Sequence, residues 1–200
     1  MADADTLNIR PEFKQIAEQI TPGSRVLDLG CGDGSLMAFL QQERQVSGYG
    51  VDRDDANIVS CLEHGVHAIQ SNLEAGLSMF ESGTFDYVIL SHTIQSMRDI
   101  EGILKEMVRV GKECIVSFPN FGFWENRWQI LRGRMPVSDL IPYQWYDTPN
   151  IHFCTIKDFS RLCHELGFKE LETRQLHEGE QVPFLPNLFA SVAIYRFKGD

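Results

Sequence analysis

The chain has no surplus of positive charge: 18 Lys and Arg stand against 28 Asp and Glu, a formal charge of -10 over 200 residues. Binding to nucleic-acid phosphates or anionic lipid draws on such a surplus, so neither partner is expected. A long apolar run is missing too. No stretch approaches the ~20 apolar residues of a membrane-spanning helix. The opening Met1-Ala2-Asp3-Ala4-Asp5 is acidic, where a secretory signal would be basic and then apolar. A cytoplasmic protein with reduced thiols is the expectation. The cysteines, Cys31, Cys61, Cys114, Cys154 and Cys163, are odd in number and have no C-x-x-C spacing, which speaks against a disulfide framework or a cysteine metal site. The histidines lack ligand-like spacing, so no metal is expected. Repeats and low-complexity tracts are absent, and only the first ~8 residues read as disordered.

What is present is an alternation of short Val- and Ile-rich runs with helical patterns, the sequence form of an α/β protein whose parallel sheet is covered by helices on both faces. Its length fits a single domain spanning 1–200. After a helix around Arg10–Gln19, seven strands are expected at Arg25–Leu29, Gly48–Val51, Ala68–Ser71, Tyr87–Leu90, Cys114–Phe118, Glu170–Gln175 and Ala190–Phe197. Helices are expected to begin near Ser35, Asp55, Ile100 and Ile156. Ile100, Ile103, Leu104, Met107 and Val108 mark one apolar face, with Gly111 placed to end that helix. Thr155 and Asp158 form a capping box with the shorter acid, and Gly167 suits a left-handed stop. Between the fifth strand and the Thr155 helix, residues 120–154 form an aromatic-rich insert expected to cover the strand ends. The helical spacing over Phe123–Leu131 predicts burial against the sheet edge, with an interface as the other reading.

Gly30, Gly32 and Gly34, with Cys31 and Asp33 between them, follow an apolar strand and precede a helical pattern. They occupy a strand-to-helix turn where missing side chains let a ligand approach the backbone. Asp52 ends the next strand about twenty residues on, where a carboxylate can accept bonds from both hydroxyls of a ribose. A dinucleotide is the competing ligand. Asp28 on the strand and Asp33 in the turn would repel its diphosphate by ~1 kcal/mol or more each, whereas a sulfonium cation carrying an ammonium group fits. S-adenosylmethionine, or its product S-adenosylhomocysteine, is therefore the expected ligand, and a nicotinamide-dependent dehydrogenase is a distant alternative.

These residues resemble the class I S-adenosylmethionine-dependent methyltransferases, whose first motif is an apolar pair, an acid, an apolar residue and then G-x-G-x-G. The resemblance implies a Rossmann-like, seven-stranded, mostly parallel sheet with an antiparallel last strand. By it, Asp28 would act near the ligand's amino group, the backbone of Gly30–Gly34 would line its methionine portion, Asp52 would hold the ribose and Arg53 would flank the adenine. Asn72, followed by Leu73, stands where many relatives have an adenine-binding Asp; an amide oxygen can still accept that bond, and a plain turn residue is the other reading. Ser91 and His92, just past the fourth strand, stand where the family's substrate-facing segment begins. Methyl transfer needs alignment more than a base. His92 is a candidate proton acceptor, though a histidine at a strand end is more often structural. The Asn-Pro-Pro-aromatic motif of amino-methylating enzymes is missing, since Pro119-Asn120-Phe121 follows the fifth strand and reads as a turn into the insert.

A narrower resemblance is carried by Pro142-Tyr143-Gln144-Trp145-Tyr146-Asp147-Thr148-Pro149-Asn150-Ile151-His152 and by residues 154–159. With Arg10-Pro11, residues 23–28, Leu90-Ser91-x-Thr93-x-Gln95 and Asn187-Leu188, they resemble the MetW family of bacterial methionine-biosynthesis proteins over nearly the whole chain. The resemblance implies a partner, homoserine O-acyltransferase (acetyl- or succinyltransferase), whose activity the protein would support. A small-molecule methyltransferase is the alternative.

Overall fold

In the computed structural model, which describes residues 9–199, helix α1 (Glu12–Ala17) precedes strand β1 (Arg25–Leu29). Helix and strand then alternate through α2 (Ser35–Arg44), β2 (Ser47–Asp52), α3 (Asp55–Glu63), β3 (Ala68–Gln70), β4 (Phe85–Ser91), α4 (Ile100–Val110) and β5 (Gly111–Pro119). Beyond them come α5 (Trp124–Leu131), α6 (Ile156–Glu165), β6 (Lys169–His177), β7 (Glu180–Gln181), α7 (Pro186–Phe189) and β8 (Val192–Lys198). The expected disorder near the N-terminus falls outside the described residues.

All eight strands join one sheet in the order β3-β2-β1-β4-β5-β8-β6-β7. Strands β1 to β5 pair in parallel, while β8 runs antiparallel between β5 and β6. The seven expected strands are all present, and the eighth, β7, pairs only through Leu176↔Gln181 and His177↔Glu180. Two polar residues carry no apolar periodicity, which is why the sequence gives no signal for it.

Successive residues of the central strands feed opposite cores, as a period of two requires. Leu27, Leu29, Val88, Leu90 and Val116 pack with the inner face of α4, whereas Val26, Ile89 and Ile115 pack with α1 and α2. The α4 face is rotated slightly from the sequence expectation: Ile103, Leu104, Met107 and Val110 are buried, with Ile100 and Val108 flanking. Gly111 ends α4 in an extended rather than left-handed conformation (φ -113°) and starts β5 at once. Its missing side chain serves packing, because a Cβ there would lie 2.5 Å from Val88 Cγ2. The Thr155–Asp158 capping box is complete, and Gly167 adopts the left-handed stop (φ +73°).

The insert corrects one expectation. Helix α5 forms where the spacing placed it, but its large groups are not buried against the sheet edge: Trp124, Trp128 and Leu131 are 45%, 47% and 75% exposed. Asn120 is likewise more than a turn residue. It is buried, its Nδ2 donates to Ala190 O (2.7 Å), and its Oδ1 accepts from the amides of Gly122 (3.0 Å) and Ile156 (3.3 Å). The insert departs and returns at this point, for the Phe121 amide donates to Cys154 O at 3.0 Å.

Candidate functional site

The strand order reverses between β1 and β4, and a crevice opens beyond the carboxyl ends of these strands, where open α/β sheets bind ligands. The β1–α2 loop lines it. Gly30 and Cys31 both donate their amides to Val51 O (2.7 and 3.1 Å), which folds the loop back over β2. Gly30, Gly32 and Gly34 have φ of +67°, +56° and +81°, a region that suits glycine. A Cβ on Gly30 would strike Thr93 at 2.6 Å, whereas one on Gly32 would enter open space.

Asp52 organises this loop from the end of β2. Its Oδ2 accepts from the Gly32 amide and its Oδ1 from the Asp54 amide (2.9 and 3.0 Å), so the carboxylate keeps lone pairs on both oxygens for a further donor. Asp33 turns to the helix, accepting from the Ser35 amide. Behind the loop the Cys31 and Cys61 thiols lie 3.6 Å apart, and His64 Nδ1 is 2.8 Å from Asp33 O. From the end of α3, His64 thus braces the back of the loop.

One part of the crevice, about 420 Å³, brings together Asp28, Gly30, Cys31, Gly32, Asp33, Ser91 and His92 from the sequence expectation. Asp28 is buried, and burial pushes its carboxyl up to about 7, with Asp52 raising it further and Arg10 opposing. Arg10 donates to Ser91 Oγ (3.0 Å), which also meets Ser117 Oγ at 2.9 Å. Glu12 Oε1 lies 3.2 Å from His92 Nε2 and 3.3 Å from Arg10 Nε, yet neither Glu12 Oε1 nor His92 Nε2 makes an aligned hydrogen bond among the described residues. Burial pulls the Glu12 carboxyl up, the contacts with His92 and Arg10 pull it down by more, and it sits below its ordinary value. His92 itself has φ +51°.

A neighbouring part of 560 Å³ collects Asp52, Arg53, Asn72 and Leu73, and Pro149 and Ile151 of the insert lie over it. Gln95 O receives the amides of Ile151 and His152, which ties the insert down beside the crevice. Asn72 is engaged as a turn residue, its Oδ1 accepting from the Glu74 amide while the residue lines the crevice. Gly34 lines neither part; it caps α2 and packs against Cys61. Sequence reasoning gave no role to Arg10, Glu12 or Thr93. The contacts of Arg10 and Glu12 depend on α1 crossing the end of β4, and those of Thr93 on the β1–α2 loop meeting the segment after β4; the family resemblance pointed to Arg10 and Thr93 alone.

The profile of the family described as "Methionine biosynthesis protein MetW" matches residues 10–197. The chain belongs to the MetW family. A relative from Rhodopirellula baltica, described as a bifunctional methionine biosynthesis protein MetXA/MetW, is 34% identical over 96% of the chain. The chain spans only 33% of that relative's length. A demethylmenaquinone methyltransferase of Bacillus mycoides is 26% identical over 82% of the chain and 78% of its own length. Among solved structures, an S-adenosylmethionine-dependent methyltransferase from Mesorhizobium loti shares the fold with a TM-score of 0.70 at 13% identity, covering 96% of this chain and 99% of that one. One from Archaeoglobus fulgidus gives 0.69 at 16% identity over 94% and 91%. The fold is therefore the Rossmann-like methyltransferase fold, mostly parallel with an antiparallel edge. No helix among the described residues is long and apolar enough to cross a membrane.

Proposed function

We propose that this MetW-family chain is a single-domain, methyltransferase-like protein that binds S-adenosylmethionine or S-adenosylhomocysteine, associates with homoserine O-acyltransferase and supports its activity. The observation that carries the partner is the bifunctional relative, in which a MetXA part and a MetW part share one polypeptide. A covalent link holds two modules at an effective concentration far above that of free proteins, which favours modules that act on each other.

The ligand rests on the chemistry of the crevice. Buried Asp28 gains by meeting a cation, Asp52 has free lone pairs for ribose hydroxyls, and the open side of Gly32 admits a close backbone approach. A diphosphate at the β1–α2 loop would face Asp28 and Asp33, so a dinucleotide fits poorly. When bound, S-adenosylmethionine supplies an electrophilic methyl group. The chain's own contribution is to orient it: Gly30–Gly34 and Asp28 on the methionine side, Asp52 and Arg53 on the nucleoside side, with Asn72, Leu73 and Ser91 completing the walls. The test is to assay homoserine acylation by the purified acyltransferase alone, with this protein, and with S-adenosylmethionine added. A rate that depends on this protein and shifts with the ligand is expected; an unchanged rate and no complex would overturn the proposal.

One observation favours a second reading, a methyltransferase acting on a small molecule. A cleft of 420 Å³, lined by Glu12, Asn120, Phe123, Asn126, Ile141 and His177, lies beyond Glu12 from the methionine side and has room for an acceptor. Formation of S-adenosylhomocysteine from a metabolite extract, lost in Asp52→Ala, is what that reading expects.

A further inference from the structure

Helix α5 presents its large apolar groups outward. Trp124, Trp128 and Leu131 stand at i, i+4 and i+7, which is one helical stripe. Together with Arg127 they line a shallow groove of 400 Å³, and Leu131 is among the most exposed large apolar side chains of the described residues. An isolated exposed Leu needs no account, but two Trp and a Leu in one stripe mark a recognition surface. The charge around the stripe also departs from the rest of the molecule. Arg127, Arg132 and Arg134 are exposed here, and residues 124–134 contain three arginines and a single acid, Glu125, in a chain of net charge -10. The Arg132 guanidinium lies over the Trp128 ring, 4.6 Å from its centroid, so aromatic and cation form one composite surface.

That chemistry selects the occupant. An isologous contact between two copies would place the same arginines of both chains against one another, which disfavours a dimer through this face. A partner with an apolar patch bordered by carboxylates is complementary. We propose that the outer face of α5 is the docking surface for the acyltransferase, with Trp124, Trp128 and Leu131 as anchors and Arg132 and Arg134 as a cationic rim; this rests on the partnership proposed above.

The position of α5 gives such docking a consequence. Its opposite face supplies Asn126, and its entry supplies Phe123, to the cleft that Glu12 also lines. Glu12 in turn touches His92 and Arg10 of the methionine side. One helix therefore separates the docked partner from this cleft, and Glu12 joins the cleft to the methionine side, a contiguous chain along which reciprocal coupling between partner and ligand can run.

The experiment titrates purified homoserine O-acyltransferase into the wild-type protein, into Trp128→Ala/Leu131→Asp, and into Arg132→Glu/Arg134→Glu, by calorimetry at two salt concentrations. S-adenosylmethionine affinity and thermal unfolding serve as controls that both variants should leave nearly unchanged. Tenfold or greater loss of acyltransferase affinity in each variant is expected, with wild-type binding weakened by salt. Binding by wild type and both variants alike would overturn the assignment of this face while leaving the partnership intact. No binding by wild type would instead overturn the partnership. Dimerisation of the protein alone, abolished in Trp128→Ala/Leu131→Asp, would give the face to a second copy and also overturn the proposal.

Discussion

The amide of Gly32 donates to Oδ2 of Asp52 across 2.9 Å, so the residue proposed to hold the ribose also fastens the loop proposed to hold the methionine. The two halves of the crevice are thus joined through one carboxylate. Replacing Asp52 by Ala should cost stability as well as ligand, because a bond to a charged acceptor contributes ~1.5–3 kcal/mol. Calorimetric titration of S-adenosylmethionine should show affinity reduced by at least tenfold, with a lower melting temperature. Asp52→Asn, which keeps one acceptor oxygen, should fall between.

Gly32 and Gly65 make a matched pair. Both have positive φ, +56° and +73°, and neither has an atom within 4 Å of the Cβ it lacks. Substitution by Ala should therefore cost each a similar backbone penalty of ~1 kcal/mol. Only Gly32 opens onto the crevice. Gly32→Ala should also lose most ligand affinity, while Gly65→Ala should bind as wild type; equal binding by both would remove Gly32 from the site.

Asp28 sets a pH dependence whose sign follows from its burial. With its carboxyl raised to about 7, the folded protein holds a proton that the unfolded chain releases near pH 4. Stability attributable to this group is full below about pH 4 and is lost as pH rises towards 7, a change on the order of 4 kcal/mol. Asp28→Asn removes that slope, so urea denaturation should find the variant gaining on wild type between pH 4 and 8. A cationic ligand should show the opposite trend, binding wild type about tenfold more tightly at pH 8 than at pH 6 as the carboxylate ionises. In Asp28→Asn the affinity should be weaker and flat over that range.

Glu12 behaves in the reverse sense. Its carboxyl is held below the ordinary value by His92 and Arg10, so its contribution is present above pH ~4.5 and disappears as pH falls through its folded value. Glu12→Gln should destabilise the protein at pH 7 by ~1–3 kcal/mol, and this difference should shrink towards pH 3. His92, held at φ +51°, gives a companion test. If its strained backbone dominates its role, His92→Gly should melt above His92→Ala by the equivalent of ~1 kcal/mol.

What the sequence makes legible here is local. Val26, Leu27 and Leu29, and the run Val88–Leu90, put apolar groups on both faces because both faces are covered, and the glycines and Asp52 lie at spacings fixed by one β-turn-α-β unit. Less legible is what depends on distant packing. Arg10 meets Ser91 across 81 positions, and no pattern around Arg10 encodes that meeting. The spacing of α5 was clear, yet periodicity says only that apolar groups share a face, never that the protein itself covers it. Asn120 reads as an ordinary turn former until the ends of the insert converge upon it.

That convergence has a further meaning for the molecule's history and for its redesign. Phe121 and Cys154 are hydrogen-bonded neighbours, so the intervening stretch begins and ends at one spot beneath the Asn120 clasp. A segment whose two ends already touch can be exchanged at little topological cost to its host. The sheet is in this respect a socket and the aromatic stretch a cartridge, and changing the cartridge would change the company the protein keeps and the crevice wall that Pro149 and Ile151 supply, while leaving the β1–α2 loop and Asp52 in place.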